Sequence, residues 1–261
     1  MTGKPDPSLH LQAKQACAAV RTGAGADSLA GPFTIDIRRN EFAALVGPPS
    51  CGSSALLRLL AGLAGPASGE ILVRGEKLTS PQSGAGFVFS EPSLLASRTA
   101  LGNVLLQAEL RGLEPGPKEP RARELLSLIG AGEYTDRYPR DLPAAIAQRV
   151  AICRALLLDP ELLLMDDPFR PLDPLEREQL VRDLQRFHFE SRPTVVMTSA
   201  GILEAIQLAD LVAVVVPPGR VERVIEIDLP RPRRLDKTTA PRISDYCTTV
   251  RMLLEAHGVL T

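Results

Sequence analysis

The sequence predicts an α/β fold that combines a parallel sheet, an antiparallel β subdomain and a helical lobe. Three apolar runs, at residues 162–165, 194–197 and 211–216, consist almost entirely of Leu, Val, Met and Ala. Continuous apolar runs of this length are typical of strands that are buried on both faces of a parallel sheet. Residues 91–158 have a mostly helical pattern with Pro and Gly interruptions at 112–120, which predicts the helical lobe.

The other elements can be placed in order along the chain. The sequence predicts a loose leader over residues 1–14, strands near 16–21, 33–37 and 42–46, a helix near 53–63, strands near 70–74 and 87–89, the helical lobe, strand–helix–strand alternation over 160–216, a short strand near 221–228 and a proline- and arginine-rich linker from Pro230 to Pro241. An amphipathic helix is predicted at the end, because apolar residues recur there at helical spacing, at Ile243, Tyr246, Cys247, Val250 and Leu254. We expect one main domain over residues 15–230, followed by the linker and last helix in 231–261.

Composition excludes several classes of protein. Lys and Arg total 30 and Asp and Glu total 31, so the charge balance gives no electrostatic footprint for nucleic acid. The four cysteines lack CxxC spacing and the three histidines are dispersed, so we expect free thiols in a reducing cytosol and no metal site built from them. No apolar stretch approaches the ~20 residues of a membrane span, so we expect a soluble protein that reaches a membrane only through a partner. Arg231, Arg233 and Arg234 are expected to lie in a solvated linker.

Residues 47–54, Gly-Pro-Pro-Ser-Cys-Gly-Ser-Ser, match a phosphate-binding loop except at one position. The pattern is Gly, four residues, Gly, Lys, and Ser or Thr, and Ser53 stands where the lysine is required. An apolar strand precedes the loop and a helical run follows it, which is the context that such a loop needs. The backbone N–H groups of the loop and of the helix N-terminus would hold an anion. The candidate binding residues are Gly47, Pro48, Pro49, Ser50, Cys51, Gly52, Ser53, Ser54 and Ala55. Without the lysine, the loop loses a charge-assisted contact worth about 1.5–3 kcal/mol.

An ordered series of motifs follows this loop. The motifs are Pro66-Ala-Ser-Gly-Glu-Ile-Leu-Val-Arg-Gly75, Gly86-Phe-Val-Phe-Ser90, Arg98-Thr-Ala-Leu-Gly-Asn-Val104, Gln148-Arg-Val-Ala-Ile-Cys-Arg-Ala155, Leu162-Leu-Leu-Met-Asp-Asp-Pro-Phe169, Pro171-Leu-Asp173 and Glu204-Ala-Ile-Gln-Leu-Ala-Asp210. From about residue 15 to 230 the chain resembles the ATP-binding subunit of ABC transporters, and within that family the nitrate, sulfonate and taurine importers.

The resemblance implies a fold, ligands and partners. The fold would be the P-loop NTPase core of the ABC ATPases, and the ligands ATP and Mg, with Ser54 and Asp166 as metal ligands when nucleotide binds. In this family two subunits sandwich ATP head to tail, each giving the phosphate loop to one site and the signature to the other. The expected partners are therefore a second ATP-binding subunit, in a homo- or heterodimer, and an ABC transmembrane permease subunit. The chain would lie on the inner face of the cell membrane through that permease.

The chain departs from the family at the positions that carry chemistry. Ser90 stands for the Gln that reaches metal and water, Asp167 for the Glu that positions water, and Ser199 for the switch His. The signature Leu-Ser-Gly-Gly is replaced by Leu142-Pro-Ala-Ala145, where Pro143 has no N–H to donate, and residues 1–32 contain no aromatic to stack on adenine. Taken singly, each change has a mild explanation; the proline, for example, suits a first helical turn capped by Asp141.

Three functions are compatible with this pattern. The leading hypothesis is a pseudo-ATPase importer subunit that binds nucleotide weakly or not at all and pairs with or regulates an active subunit. Asp166, Asp173, Ser54 and Gln148 are retained and would allow an ATP-hydrolysing subunit of low turnover instead. A scaffold outside transport that uses the fold to dimerise is the third. For the importer readings, residues 91–104 match the region that docks the permease, and the adjacent Leu94 and Leu95 should not both be buried.

Overall fold

The computed structural model describes residues 8–21 and 27–259. They form two compact units. The first unit comprises the chain up to residue 83 together with residues 192 onward, and the second unit comprises residues 84–191. Among the described residues, no helix has both the length and the apolar character needed to cross a membrane.

The strands and helices alternate along most of the chain. The strands are β1 (Leu9–Arg21), β2 (Asp27–Arg38), β3 (Phe42–Val46), β4 (Ser68–Val73), β5 (Glu76–Lys77), β6 (Ala85–Val88), β7 (Leu162–Asp166), β8 (Thr194–Ser199), β9 (Leu211–Val216) and β10 (Arg220–Glu226). The α-helices are α1 (Ser53–Leu60), α2 (Ala100–Leu110), α3 (Glu119–Leu128), α4 (Ala144–Leu156), α5 (Pro174–Ser191), α6 (Ile202–Leu208) and α7 (Ala240–Glu255).

The first unit contains the antiparallel sheet, with strand order β2–β1–β4–β5. Strand β1 begins at Leu9 and pairs with both β2 and β4. Residues 9–14 therefore form strand, and the expectation of a loose leader over them is wrong. The earlier part of that leader, residues 1–7, lies outside the described residues. The alternation of apolar and polar residues at the start of β1 is the local signal for this strand.

The parallel strands of the first unit are fully buried. Strand β3 lies between β8 and β9 and runs parallel to both, while β9 pairs antiparallel with β10. Every residue of β3, β8 and β9 is buried, as the apolar runs predict. Because parallel strands end at the same edge of a sheet, the loops after β3 and β8 lie side by side.

A buried histidine connects β1 with β8 inside the first unit. His10 is 3% exposed, and its Nδ1 lies 2.6 Å from Thr194 Oγ1. The Thr194 hydroxyl oxygen also accepts from the Asn40 N–H, at 3.0 Å. The hydroxyl proton is then directed at Nδ1, an arrangement that suits a neutral imidazole. Burial, and then the nearby Arg74 and Arg39, lower the pKa of His10 from 6.5 to about 4.

The second unit contains a pair of parallel strands, β6 and β7, and the helical lobe. All five residues of β7 are buried. Gly86 in β6 has no space for a side chain, since a Cβ there would lie 2.6 Å from the Ala155 carbonyl oxygen. Helix α4 is held further along by Arg149, which is buried and donates to Asp183 Oδ2 at 2.5 Å and to the Ile129 carbonyl.

The expected solvated linker after β10 is anchored by a buried arginine. Arg233 is 2% exposed and donates to the carbonyls of Leu229 (3.2 Å), Ile206 (2.9 Å), Ile227 (3.0 Å) and Ala209. Burial, then the neighbouring Arg231, lower the pKa of Arg233 to about 10, so the group stays charged at neutral pH.

Arg231 is also engaged, because it donates to Asp210 Oδ1 at 2.6 Å and to the Leu208 carbonyl at 2.6 Å. Of the three arginines expected in a solvated linker, only Arg234 is exposed. The expectation is wrong because several acceptors, the carbonyls of Ile206, Leu208 and Ala209 and the Asp210 carboxylate, lie more than 20 residues away, and composition does not reveal them.

We predict that Arg233→Met lowers the free energy of unfolding by about 3–5 kcal/mol, because it removes all four donors from a buried site. Arg234→Met is the matched control, since Arg234 is exposed, and should change stability by less than about 0.5 kcal/mol. The measurement is the urea midpoint of both variants. Equal midpoints would show that Arg233 contributes nothing to the anchoring.

We also predict a pH dependence of stability from His10. Its pKa is lower in the folded chain, about 4, than the ordinary value of 6.5, so between these values the unfolded chain binds more protons. The contribution of His10 to the free energy of unfolding is therefore complete above pH 6.5 and is lost as the pH falls towards 4. The loss is on the order of 3 kcal/mol, at about 1.4 kcal/mol per pKa unit. Urea midpoints of the wild type minus those of His10→Gln, measured from pH 7.5 to 4, should fall across this window; a flat difference contradicts it.

Candidate functional site

The phosphate loop leaves the end of β3 under close packing. A Cβ on Gly47 would overlap the Val215 carbonyl oxygen and lie 2.8 Å from Cys51 Sγ, so only glycine fits there. Gly52 has φ +80°, a conformation that glycine adopts without strain, and it is the N-cap of α1. The two glycines therefore keep the loop in its shape whatever the residue at position 53. Cys51 is completely buried and fills the space inside the loop.

The loop offers few N–H groups to a ligand between its two glycines. Pro48 and Pro49 have none. The Cys51 N–H donates to the Pro48 carbonyl at 2.9 Å, within a single 3₁₀ turn. Of the four residues between the glycines, this leaves Ser50. The N-terminus of α1, beginning at Ser53, adds N–H groups of its first turn, although the Ala55 N–H already donates to the Gly52 carbonyl at 3.0 Å.

The position of the missing lysine is closed and uncharged. Ser53 is 7% exposed, and its hydroxyl is too short to replace an ammonium group on a four-carbon stem. Ser54, at the metal-binding position of the pattern, is half-buried at the start of α1. The loop thus keeps its backbone geometry and a possible metal-binding hydroxyl, and it lacks the cation for the terminal phosphates.

Ser199, at the switch position, lies beside the phosphate loop. Val46 is paired with Ser199 across β3 and β8, and the Gly47 N–H points at the Ser199 carbonyl oxygen, 3.4 Å away. The Ser199 side chain is used locally, because its Oγ accepts from the Gly201 N–H at 3.0 Å, just where α6 begins. The hydroxyl therefore supports the start of α6, on a residue that is 4% exposed.

Ser90, Asp166 and Asp167 come together in the second unit. Strands β6 and β7 are parallel, with Val88 opposite Met165, so the residues that follow both strands lie at one edge. Asp166 is 7% exposed, and Asp167 has φ +43°, a left-handed conformation that Asp tolerates better than most residues. Carboxylate and hydroxyl oxygens are ligands that Mg²⁺ prefers. The side chain of Asp166 therefore has the chemistry for magnesium.

The segment that replaces the signature begins α4. Pro143 is the N-cap, and no side chain caps the helix, so the expectation that Asp141 is the cap is wrong. Ala144 is exposed, while Ala145 is buried at 5% exposure. The first turn of α4 therefore has a helix N-terminus with neither a hydroxyl nor the free backbone space of glycine. A phosphate could meet the helix dipole there but no side-chain donor.

Two residues that the sequence analysis counted as retained function have structural roles. Gln148 is fully buried, and its Nε2 donates to the Phe89 carbonyl at 3.1 Å. Asp173 and Glu176 form a reciprocal capping box at the start of α5, with N–H to carboxylate distances of 2.8 and 2.9 Å. Sequence reasoning missed Asn103 and Arg154, whose partners are main-chain atoms of residues 92–99 and leave no signal in the sequence.

Comparison with known proteins places this geometry in a family. A family model described as ABC transporter matches residues 31–170, more than half of the 261 residues. A taurine import ATP-binding protein of Mesorhizobium japonicum is 38% identical over 74% of this chain and 76% of its own length. An uncharacterized ABC transporter ATP-binding protein of Methanocaldococcus jannaschii is 36% identical over 79% of this chain and 77% of its own. A nitrate import ATP-binding protein of Synechococcus elongatus is 37% identical over 81% of this chain, which spans 33% of that longer protein.

Solved structures give the same result. The dimeric structure of a bacterial ABC transporter cassette has a TM-score of 0.75 and 27% identity, covering 84% of this chain and 99% of that one. A post-hydrolysis dimer of such a cassette, bound to ADP and Pi, has a TM-score of 0.74 and 26% identity over the same shares. The chain therefore belongs to the ABC transporter family and is similar to the ATP-binding subunits of its importers.

Proposed function

We propose that this chain is an importer subunit of the nitrate, sulfonate and taurine type that has lost ATP turnover and pairs with or regulates an active subunit. One observation carries the proposal: Ser53, Ser90, Asp167 and Ser199 replace the groups that bind phosphate, metal and water, in a chain whose strands β3, β7, β8 and β9 are buried at every residue. The fold is kept and the chemistry is not.

The replacements weaken different steps of the same reaction. Ser53 removes a cation from the phosphates, and Ser199 directs its hydroxyl to Gly201. Catalytic groups that act as a unit lose most of their effect when one is missing, so four changes together should leave no turnover by this chain alone. Nucleotide binding also loses the loop lysine and an adenine-stacking aromatic, so we propose that it is weak or absent.

The head-to-tail arrangement of the family sets the consequence for a dimer. In a homodimer, each of the two sites would consist of the phosphate loop with Ser53 from one subunit and Pro143-Ala144-Ala145, at the signature position, from the other. In a heterodimer, an intact partner would supply a complete phosphate loop to one site, and that loop would face Pro143-Ala144-Ala145 in place of a signature. An active partner would therefore work at one impaired site, and this chain would limit or regulate it.

The proposed contact with the permease is the docking segment, residues 91–104, in the second unit. Leu95 is 43% exposed and Leu94 is half-buried, so the pair offers an apolar surface beside the polar lobe. Exposed apolar groups of this kind mark interaction sites when they lie together. Through this contact the chain would lie on the inner face of the cell membrane.

A low-turnover ATPase is the second candidate, and Asp166 favours it. This carboxylate keeps the metal-binding position at the end of β7, and Asp167 keeps the negative charge of the family Glu. Magnesium-dependent hydrolysis by the unmodified chain that disappears in Asp166→Asn would support this candidate against the first.

We predict that the isolated chain binds Mg-ATP more weakly than micromolar and that Ser53→Lys tightens binding roughly ten- to hundredfold. The restored lysine supplies a charge-assisted contact of about 1.5–3 kcal/mol. Titration calorimetry measures both, and phosphate release by Ser53→Lys should stay at background because the other three replacements remain.

Ser68→Lys is the control for this prediction. It adds the same charge at an exposed position of β4, outside the loop, and should not match the gain of Ser53→Lys. Micromolar binding by the unmodified chain, or family-typical turnover by Ser53→Lys, would contradict the proposed loss of function.

For the docking segment, we predict that Leu95→Asp abolishes association with the permease subunit of the chain's own complex. A charge placed in an apolar contact must be desolvated there, whereas in the free chain it stays in water. The thermal midpoint should therefore change little. Leu110→Asp is the matched control, a leucine of the same unit that is 73% exposed and lies outside the docking segment. Co-purification from detergent-solubilised membranes is the measurement, and a Leu95→Asp chain that retains the permease would refute this surface.

A further inference from the structure

The first part of the docking segment has no secondary structure of its own. Between the end of β6 at Val88 and the start of α2 at Ala100, the chain forms only bends and turns. Ser93 has φ +47°, a strained conformation for a residue other than glycine. Loops of this kind normally move, and strained residues persist only where their surroundings fix them.

Asn103 fixes the backbone around Leu95 from the side of α2. The Asn103 side chain is fully buried. Its Oδ1 accepts from the Leu95 N–H at 2.7 Å, and its Nδ2 lies 3.1 Å from the Leu95 carbonyl oxygen. The same Nδ2 lies within 3.1 Å of the carbonyl oxygens of Arg98 and Thr99. A single amide group therefore holds both polar groups of Leu95 and the two residues that lead into α2.

Arg154 fixes the preceding residues from the side of α4. Its Nη1 donates to the Ser93 carbonyl and its Nη2 to the Pro92 carbonyl, each at 2.9 Å. The guanidinium fork spans two successive carbonyls, a geometry that an ammonium group cannot reproduce. Arg154 is half-buried, so its charge is partly taken out of water, and this burial lowers the pKa of the guanidinium.

The loop held in this way contributes nothing to the core. None of residues 91–99 is buried, although the side chain that holds Leu95 is. A buried amide and a partly desolvated guanidinium thus fix the shape of a segment that has no fully buried residue. Packing of the core does not require that shape, so it serves the surface that the segment presents.

We infer that Asn103 and Arg154 are positioning residues of the docking segment, which hold Leu95 outward in a preformed shape for the permease. This inference rests on the proposed function. A surface that is already ordered loses little conformational entropy on binding, so association gains affinity from the clamp without any contact between these two side chains and the partner. Release of the clamp should weaken binding even though Leu95 is unchanged.

Arg154→Met in the full chain tests the inference with two measurements. Hydrogen–deuterium exchange of peptides covering residues 89–99 should become at least about tenfold faster, because the loop opens locally. Affinity for the chain's own permease subunit, purified in detergent, should fall at least about tenfold, with an unchanged thermal midpoint. Arg154→Lys keeps one donor and should recover part of both effects. Arg121→Met is the control, since Arg121 pairs with Glu124 and Asp159 on the same unit and does not hold the loop.

Asn103→Asp is the second variant, because it keeps the size of the side chain and places a carboxylate against three carbonyl oxygens. If exchange is unchanged in both folded variants, the clamp does not exist. If exchange accelerates and affinity for the permease does not change, the inference is wrong and the proposed docking stands. If the unmodified chain does not bind the permease at all, the proposed function fails and takes the inference with it, while the exchange data still report the clamp.

Discussion

The in-register pairing of β3 between β8 and β9 is the constraint on which the candidate site depends. All five residues of β3 are buried, so each of its backbone groups must find a partner in the sheet. Its first residue, Phe42, is fixed by two hydrogen bonds with Asp210. The Phe42 N–H donates to Asp210 Oδ2 at 3.0 Å, and the Phe42 carbonyl accepts from the Asp210 N–H at 2.7 Å. A slip of β3 by one residue would break both of these hydrogen bonds. The register in turn places the Gly47 α-carbon against the Val215 carbonyl oxygen and the Gly47 N–H beside the Ser199 carbonyl oxygen.

This constraint separates the shape of the phosphate loop from its chemistry. Gly47 and Gly52 are required by close approach and by a positive φ, and neither requirement involves a ligand. Ser53 can therefore stand in place of a lysine without disturbing the loop. Ser199 behaves in the same way, because its hydroxyl pairs with the Gly201 N–H and satisfies the start of a helix. The positions that carry chemistry in the family are filled by groups that the fold can use or ignore.

Much of this could be predicted from the sequence. The apolar runs of β7, β8 and β9 predict buried parallel strands, since few other structures bury every residue of a short segment. The spacing of Gly47, Gly52 and Ser54 predicts the loop, because the glycines are needed by local backbone geometry. Interactions that repeat along the chain, or that act within a few residues, leave a readable pattern.

The remainder depends on partners that carry no pattern. Arg233 lies in a sequence rich in proline and arginine, which is typical of a linker, and its acceptors are main-chain carbonyls that any residue could provide. Asn103 and Arg154 are hidden for the same reason. The start of β1 differs, because its alternating apolar and polar residues indicate a strand, whereas the buried hydrogen bond of His10 to Thr194, 184 positions away, has no signal in the sequence.

The polar groups around the phosphate loop and those around residues 91–99 have different roles. Around the phosphate loop, short uncharged side chains occupy positions where a nucleotide would need charge, and their hydrogen bonds serve the chain itself. Around residues 91–99, a buried amide and a guanidinium hold the shape of a loop in which no residue is fully buried. If the chain had only lost its function, we would expect the exposed loop to lose the contacts that hold it as readily as the ligand site loses its residues, because neither supports the core. A chain that keeps the hydrogen bonds holding this loop while its phosphate loop has Ser53 in place of a lysine fits the proposed subunit, whose role is to be bound by a partner.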